Sequence, residues 1–318
     1  MKHAPKIILL LLLMFFVTQL IGLFVINQYQ PEVKKTITSE GKVIEIKEYD
    51  LPYGLNPPKE ATPKTNLISI SFAFVLAIFL MLFLMKFKAE SFFRFWFFLI
   101  ITIALSVTFN AFIKGFYSFS IFIALFIAIL LAFFKIYKKN ILVHNLTELL
   151  IYPGIAAIIV PLLNIPTVIF LLILISVYDI YAVWYAGFMQ KMAKYQMNEV
   201  KVFGGFFIPY IRKEDRHKIK KLKILERKGK KLKGKGIKVE LGILGGGDVI
   251  FPLIFSGVLL RVMGLIPALI MVVFSTISLL ILFVIARKGK FYPAMPFLTI
   301  GCLFGLLLIQ ILKYFSII

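Results

Sequence analysis

The chain has 318 residues, 60% of them hydrophobic and only 16% charged, with a mean hydropathy of +0.94. Soluble domains run near half apolar and a quarter charged, so this composition excludes a single water-soluble core and makes the bilayer part of the protein's solvent. The net charge of +22 does not call for a nucleic-acid partner, because the basic residues stand between apolar runs where membrane topology accounts for them; one cysteine (Cys302) excludes an intrachain disulfide framework, and with three histidines it leaves little for a metal site.

An apolar run of about 20 residues crosses the hydrocarbon core as a helix. Nine such runs predict an all-α, polytopic membrane domain over residues 1–318: Ile7–Ile26, Leu67–Met85, Phe95–Ile113, Phe116–Phe134, Ile141–Leu163, Thr167–Met189, Leu241–Leu260, Leu265–Ala286 and Ala294–Leu312. The first begins after Lys2 and Lys6 as a signal peptide would, but it is longer than a signal core and no small-x-small cleavage site follows, so it reads as a retained span. Between spans one and two, the proline-containing loop 27–66 includes Lys42-Val-Ile-Glu-Ile-Lys47, whose alternation predicts a short strand or hairpin arm. Between spans six and seven, segment 190–240 holds 17 Lys and Arg and reads as a solvated cytoplasmic loop against anionic headgroups. With the N-terminus inside, 28 of the 37 basic residues fall in cytoplasmic segments. The positive-inside rule therefore predicts a cytoplasmic N-terminus and an extracytoplasmic C-terminus in the cell membrane.

Fifteen acids are present, and only Glu148, Asp179 and Asp248 lie inside predicted spans. An ionisable group there costs about 2.5–3.5 kcal/mol on insertion scales and marks function by default. Asp179 is about 11 residues from the inner end of span six and Asp248 about 7 from that of span seven, roughly 16 and 11 Å of helix. Consecutive antiparallel spans are usually neighbours, so the two aspartates are expected to face each other in the inner half of the membrane. Glu148 has His144 one turn earlier, near the start of span five, and both are expected at the cytoplasmic interface.

Two close carboxylates share one proton. The ionised one serves as general base toward water and the protonated one donates to a scissile carbonyl. That is peptide hydrolysis with no metal, no cofactor and no covalent intermediate. Gly245-Gly246-Gly247, just before Asp248, is expected to loosen the helix and allow close approach. Buried aspartates and broken helices also build ion sites, so an ion- or proton-coupled transporter or channel using the same residues is the alternative.

Three short motifs carry a resemblance. Tyr178-Asp179 stands in span six, Gly245-Gly246-Gly247-Asp248 in span seven, and Pro293-Ala294-Met295 opens span nine. This pattern resembles the presenilin and signal peptide peptidase family, the GxGD-type intramembrane aspartyl proteases, whose motifs are YD, GxGD and PAL. Met295 stands where the family has Leu, an apolar exchange of similar size. A literal Pro267-Ala268-Leu269 occurs one span too early and is read as coincidence. The span plan and compactness look like the archaeal members. The resemblance implies Asp179 and Asp248 as catalytic pair, Pro293, Ala294 and Met295 lining a substrate cleft, and transmembrane segments or signal peptides as substrates in membrane lipid. It also implies no obligatory accessory subunit.

Overall fold

The computed structural model describes residues 5–37, 43–57, 68–73, 75–76, 79–80, 83, 90–116, 119–138, 140–185, 204–210, 240–286 and 292–315. Eight helices among them are long and apolar enough to cross a membrane. They are α1 (Pro5–Gln28), α2 (Glu90–Ile113), α3 (Ser120–Tyr137), α4 (Ile141–Ile159), α5 (Ile165–Ile180), α6 (Gly246–Met263), α7 (Leu265–Ile285) and α8 (Met295–Tyr314). Of the span expected over Leu67–Met85, residues 68–73, 75–76, 79–80 and 83 are described, and all of them are helical.

Two antiparallel ribbons accompany the helices. The first pairs β1 (Glu32–Ile37) with β2 (Val43–Glu48), so the predicted hairpin arm is present. The second pairs β3 (Gly205–Tyr210) with β4 (Glu240–Gly245), Gly205 standing opposite Gly245. The rest of the basic segment 190–240 lies outside the described residues.

The second ribbon corrects the expectation for span seven. Residues Leu241–Gly245 are strand, and the helix starts only at Gly246. An apolar run this short, broken by Gly242 and Gly245, suits a strand as well as a helix. The glycines therefore mark a strand-to-helix junction and do not loosen a continuous helix.

At the centre is α6, which packs against α1, α4, α5, α7 and α8. Residues Pro252 through Leu260 are all buried, as befits a helix apolar on every side. Gly264, with φ of 94°, makes the sharp turn into α7 that a side chain would resist. Between apolar helices in lipid, packing and interhelical hydrogen bonds hold the bundle. Gln19 of α1 donates through Nε2 to the Val249 carbonyl at 2.9 Å, and Thr108 of α2 to the Leu150 carbonyl at 2.7 Å. The outer face presents Leu9, Leu13, Phe122, Phe126, Ile277, Phe304 and Leu307, an apolar surface suited to acyl chains.

Asn164 starts α5 with a reciprocal capping box to Thr167. At that same end of the bundle, Arg261 of α6 reaches the Leu163 carbonyl and the Tyr49 hydroxyl, while Lys114 pairs with Asp50 at 2.7 Å. The first loop is thereby fastened to α2 and α6, leaving the opposite end for the ribbon β3–β4 and the aspartates.

Candidate active site

Asp179 is the penultimate residue of α5, which continues as a π-helical turn over Tyr181–Tyr185. Such turns recur at functional sites. The carboxylate is only 5% exposed. Its Oδ2 accepts the backbone N–H of Met295 at 3.0 Å. Met295 is the first residue of α8, with Ala294 as its N-cap and Pro296 in the first turn. The first N–H groups of a helix have no partner within it, and the helix dipole favours an anion there. Asp179 thus caps a helix other than its own. One turn earlier, Ser176 Oγ bonds the Leu172 carbonyl and the Thr299 hydroxyl, both at 2.7 Å, and pins α5 to α8.

Asp248 lies in the first turn of α6. It too sits at a helix N-terminus, in this case its own. Asp179 and Asp248 come from separate helices to the same short segment: Asp179 accepts the Met295 N–H, and the neighbouring Ala294 lines a cavity with Asp248. A cavity of about 100 Å³ opens at Asp248 between Ile243 and Leu244 of β4, Leu282 and Phe283 of α7, and Ala294. Asp179 is not among the residues that line it.

The other motif residues are spread around this point. Pro293 and Met295 are buried and Ala294 is half-buried. Tyr178 is half-buried beside Asp179. Of the glycines, Gly245 ends β4 and faces the Asp248 carboxylate, Gly246 is pressed against the Tyr152 hydroxyl, and Gly247 is exposed. A side-chain carbon on Gly246 would stand 2.6 Å from that hydroxyl, so only glycine fits there without a shift.

The ribbon ends at this site with a defined polarity. Gly246 N–H donates to the Gly204 carbonyl at 3.2 Å. Paired residues of an antiparallel ladder alternate between bonded and non-bonded. The register therefore points the backbone groups of Gly205 and Phe207 away from β4, and those of Leu241, Ile243 and Gly245 away from β3.

Glu148 and His144 are buried among protein groups, at 2% and 9% exposure. Lys135, just past the predicted span Phe116–Phe134, is buried in the last turn of α3 and pairs with Glu148. Tyr152 donates to the same carboxylate. His144, Glu148 and Tyr152 share one face of α4 at four-residue spacing, and the fold brings Lys135 to them from α3. Among the described residues, no group of three or more His, Cys, Asp or Glu is placed to hold a metal.

No protein-family model and no curated protein matches this chain. Its structure is similar to two solved structures of a presenilin family intramembrane aspartate protease, one in space group C222 and one in P2. Against the first the TM-score is 0.58 at 19% identity, over 95% of this chain and 97% of the other. Against the second it is 0.55 at 16% identity, over 94% and 95%. The architecture built here from α1 to α8 is therefore the fold of the presenilin-family intramembrane aspartate proteases.

Proposed function

We propose that this chain is an aspartic intramembrane endopeptidase with Asp179 and Asp248 as its catalytic pair. The reading rests above all on one observation: two aspartates from separate apolar helices both adjoin the segment Ala294–Met295 at the start of α8, Asp179 through a hydrogen bond and Asp248 across a shared cavity. A group this costly to bury needs a reason, and two of them together supply acid and base at once. The likeness of fold to intramembrane aspartate proteases supports the same chemistry.

In this mechanism the ionised aspartate takes a proton from water, and the hydroxide adds to the scissile carbonyl carbon. The protonated aspartate donates to the carbonyl oxygen. The tetrahedral intermediate collapses with cleavage of the C–N bond and proton delivery to the leaving amine. Met295 N–H engages Asp179 Oδ2, and the Ala294 N–H also supports the carboxylate. Tyr178, Gly245, Gly246, Gly247, Pro293 and Ala294 shape the surrounding cleft.

Substrates are transmembrane segments of membrane proteins or leftover signal peptides. A helical segment hides its scissile carbonyl, so it must unwind. The outward edge of β4 offers the unwound peptide a ladder to join, as extended peptides do at sheet edges. Ile243 on that edge also lines the cavity at Asp248. A bound substrate seen as an uninterrupted helix would overturn this docking mode. The protein works in the cell membrane with its N-terminus cytoplasmic and with no obligatory accessory subunit.

The test is cleavage of single-span substrates by the purified protein in lipid, with product masses locating the cut. Cuts within or beside the apolar segment support the reading. Transport of ions or protons with no proteolysis in any lipid overturns it.

A further inference from the structure

The backbone groups of Gly205 and Phe207 that point away from β4 are all taken by side chains of α4. Glu148 Oε2 accepts the Gly205 N–H at 3.1 Å, and His144 Nε2 meets the Gly205 carbonyl at 2.8 Å. A carbonyl only accepts, so His144 carries its proton on Nε2, and Nδ1 faces Lys135 Nζ at 3.4 Å. Asn145 binds Phe207 twice, donating from Nδ2 to its carbonyl at 2.9 Å and accepting its N–H on Oδ1 at 3.2 Å. Its carboxamide thus does what a peptide group of a neighbouring strand would do. Pro209, the next outward position on β3, has no N–H to satisfy.

A second tier holds these side chains in place. Lys135 of α3 and Tyr152 one turn further along α4 both grip Glu148. The Tyr152 ring packs edge-on against Phe206, with centroids 5.9 Å apart, and its hydroxyl abuts Gly246. The His144 ring lies 4.4 Å from that of Phe207. A two-stranded ribbon is marginal in isolation, and this one carries Asp248 three residues past its end.

We propose that α4 supplies a surrogate third strand, built from His144, Asn145 and Glu148, that fixes the β3–β4 ribbon before substrate arrives and thereby positions Asp248. The inference rests on the protease reading for its consequence in catalysis, but not for its structural content. His144, Asn145 and Glu148 are positioning residues, because none of them reaches the reacting atoms.

The test uses the full chain in lipid nanodiscs and two variants that keep side-chain shape without the hydrogen-bonding groups, Asn145→Leu and His144→Phe. Amide hydrogen exchange is followed at Phe207, Leu244 and Gly246, with amides of α7 as an internal control. The expected result is exchange at least tenfold faster at the ribbon amides in both variants, with α7 unchanged. With a single-span substrate, kcat is expected to fall about tenfold while KM changes less than twofold. Exchange at Leu244 and Gly246 equal to that of the wild type in both variants overturns the proposal, as does a loss confined to KM. The exchange measurement needs no turnover. Wild-type protein that cuts nothing would therefore remove the protease reading while the exchange still decides the clamp.

Discussion

Asp179 Oδ2 and the Met295 N–H meet at 3.0 Å across 116 positions of sequence. One side chain of α5 thereby serves as the cap of α8. The bond gives Asp179 a structural duty separable from its proposed chemistry. An asparagine at that position keeps an oxygen for Met295 and loses only the charge, whereas alanine loses both. Thermal unfolding in detergent should find Asp179→Asn close to wild type. Asp179→Ala should be less stable by about 0.5–2 kcal/mol, the usual worth of a cap. Neither variant should cleave substrate.

The three glycines before Asp248 are not equivalent. A side-chain carbon on Gly246 would stand 2.6 Å from the Tyr152 hydroxyl, whereas on Gly247 its nearest neighbour is Phe251 at 3.7 Å, an ordinary contact. Tyr152 cannot easily yield, because Glu148 holds its hydroxyl. Gly246→Ala should therefore cost about 1–3 kcal/mol, as overpacking of a tight site does, and Gly247→Ala should cost less. Tyr152→Phe in the Gly246→Ala background should recover part of the loss. Equal melting temperatures for the two alanine variants would refute this ordering.

Much of the architecture is legible in the sequence, because apolar runs and basic loops obey strong rules and because so few acids occur inside runs. Asp179 and Asp248 stand out for that reason. Their surroundings do not. The β4 strand hides inside an apolar stretch that continues directly into α6, so a hydropathy window reads both as one helix. Lys135 falls at the end of a run, where lysine normally meets water, and its burial depends on Glu148 in the next helix. Glu148 and His144 look like interface residues until β3 is folded back against α4. Ser176 and Thr299, which pin α5 to α8, are ordinary hydroxyls in sequence. The spacing of hydroxyls one turn from Asp179 and one turn into α8 was the only available signal.

The Lys135–Glu148 pair has both side chains 2% exposed. Removing one member of a buried pair leaves an uncompensated charge, which costs about 3–5 kcal/mol. Lys135→Met and Glu148→Gln should each destabilise the protein by that order. The double variant should be less harmed than the sum, giving a coupling energy of about 0.5–3 kcal/mol in a double-mutant cycle. Strict additivity would mean that the two groups do not interact.

A pair that shares one proton gives a pH–rate profile with two limbs. Activity should rise as the first carboxylate loses its proton and fall as the second does, a bell whose limbs belong to the pair jointly. Initial rates of cleavage across the range in which the protein stays folded would trace it. A profile with a single limb would speak for only one titrating group in catalysis.

The central claim is that Asp179 and Asp248 act together in peptide hydrolysis. Its most direct test sets the purified wild-type protein beside Asp179→Ala and Asp248→Ala on a panel of single-span substrates, with folding checked by circular dichroism. The account predicts cleavage by the wild type and its loss, by at least a thousandfold, in each folded variant. Cleavage that survives either substitution would contradict it.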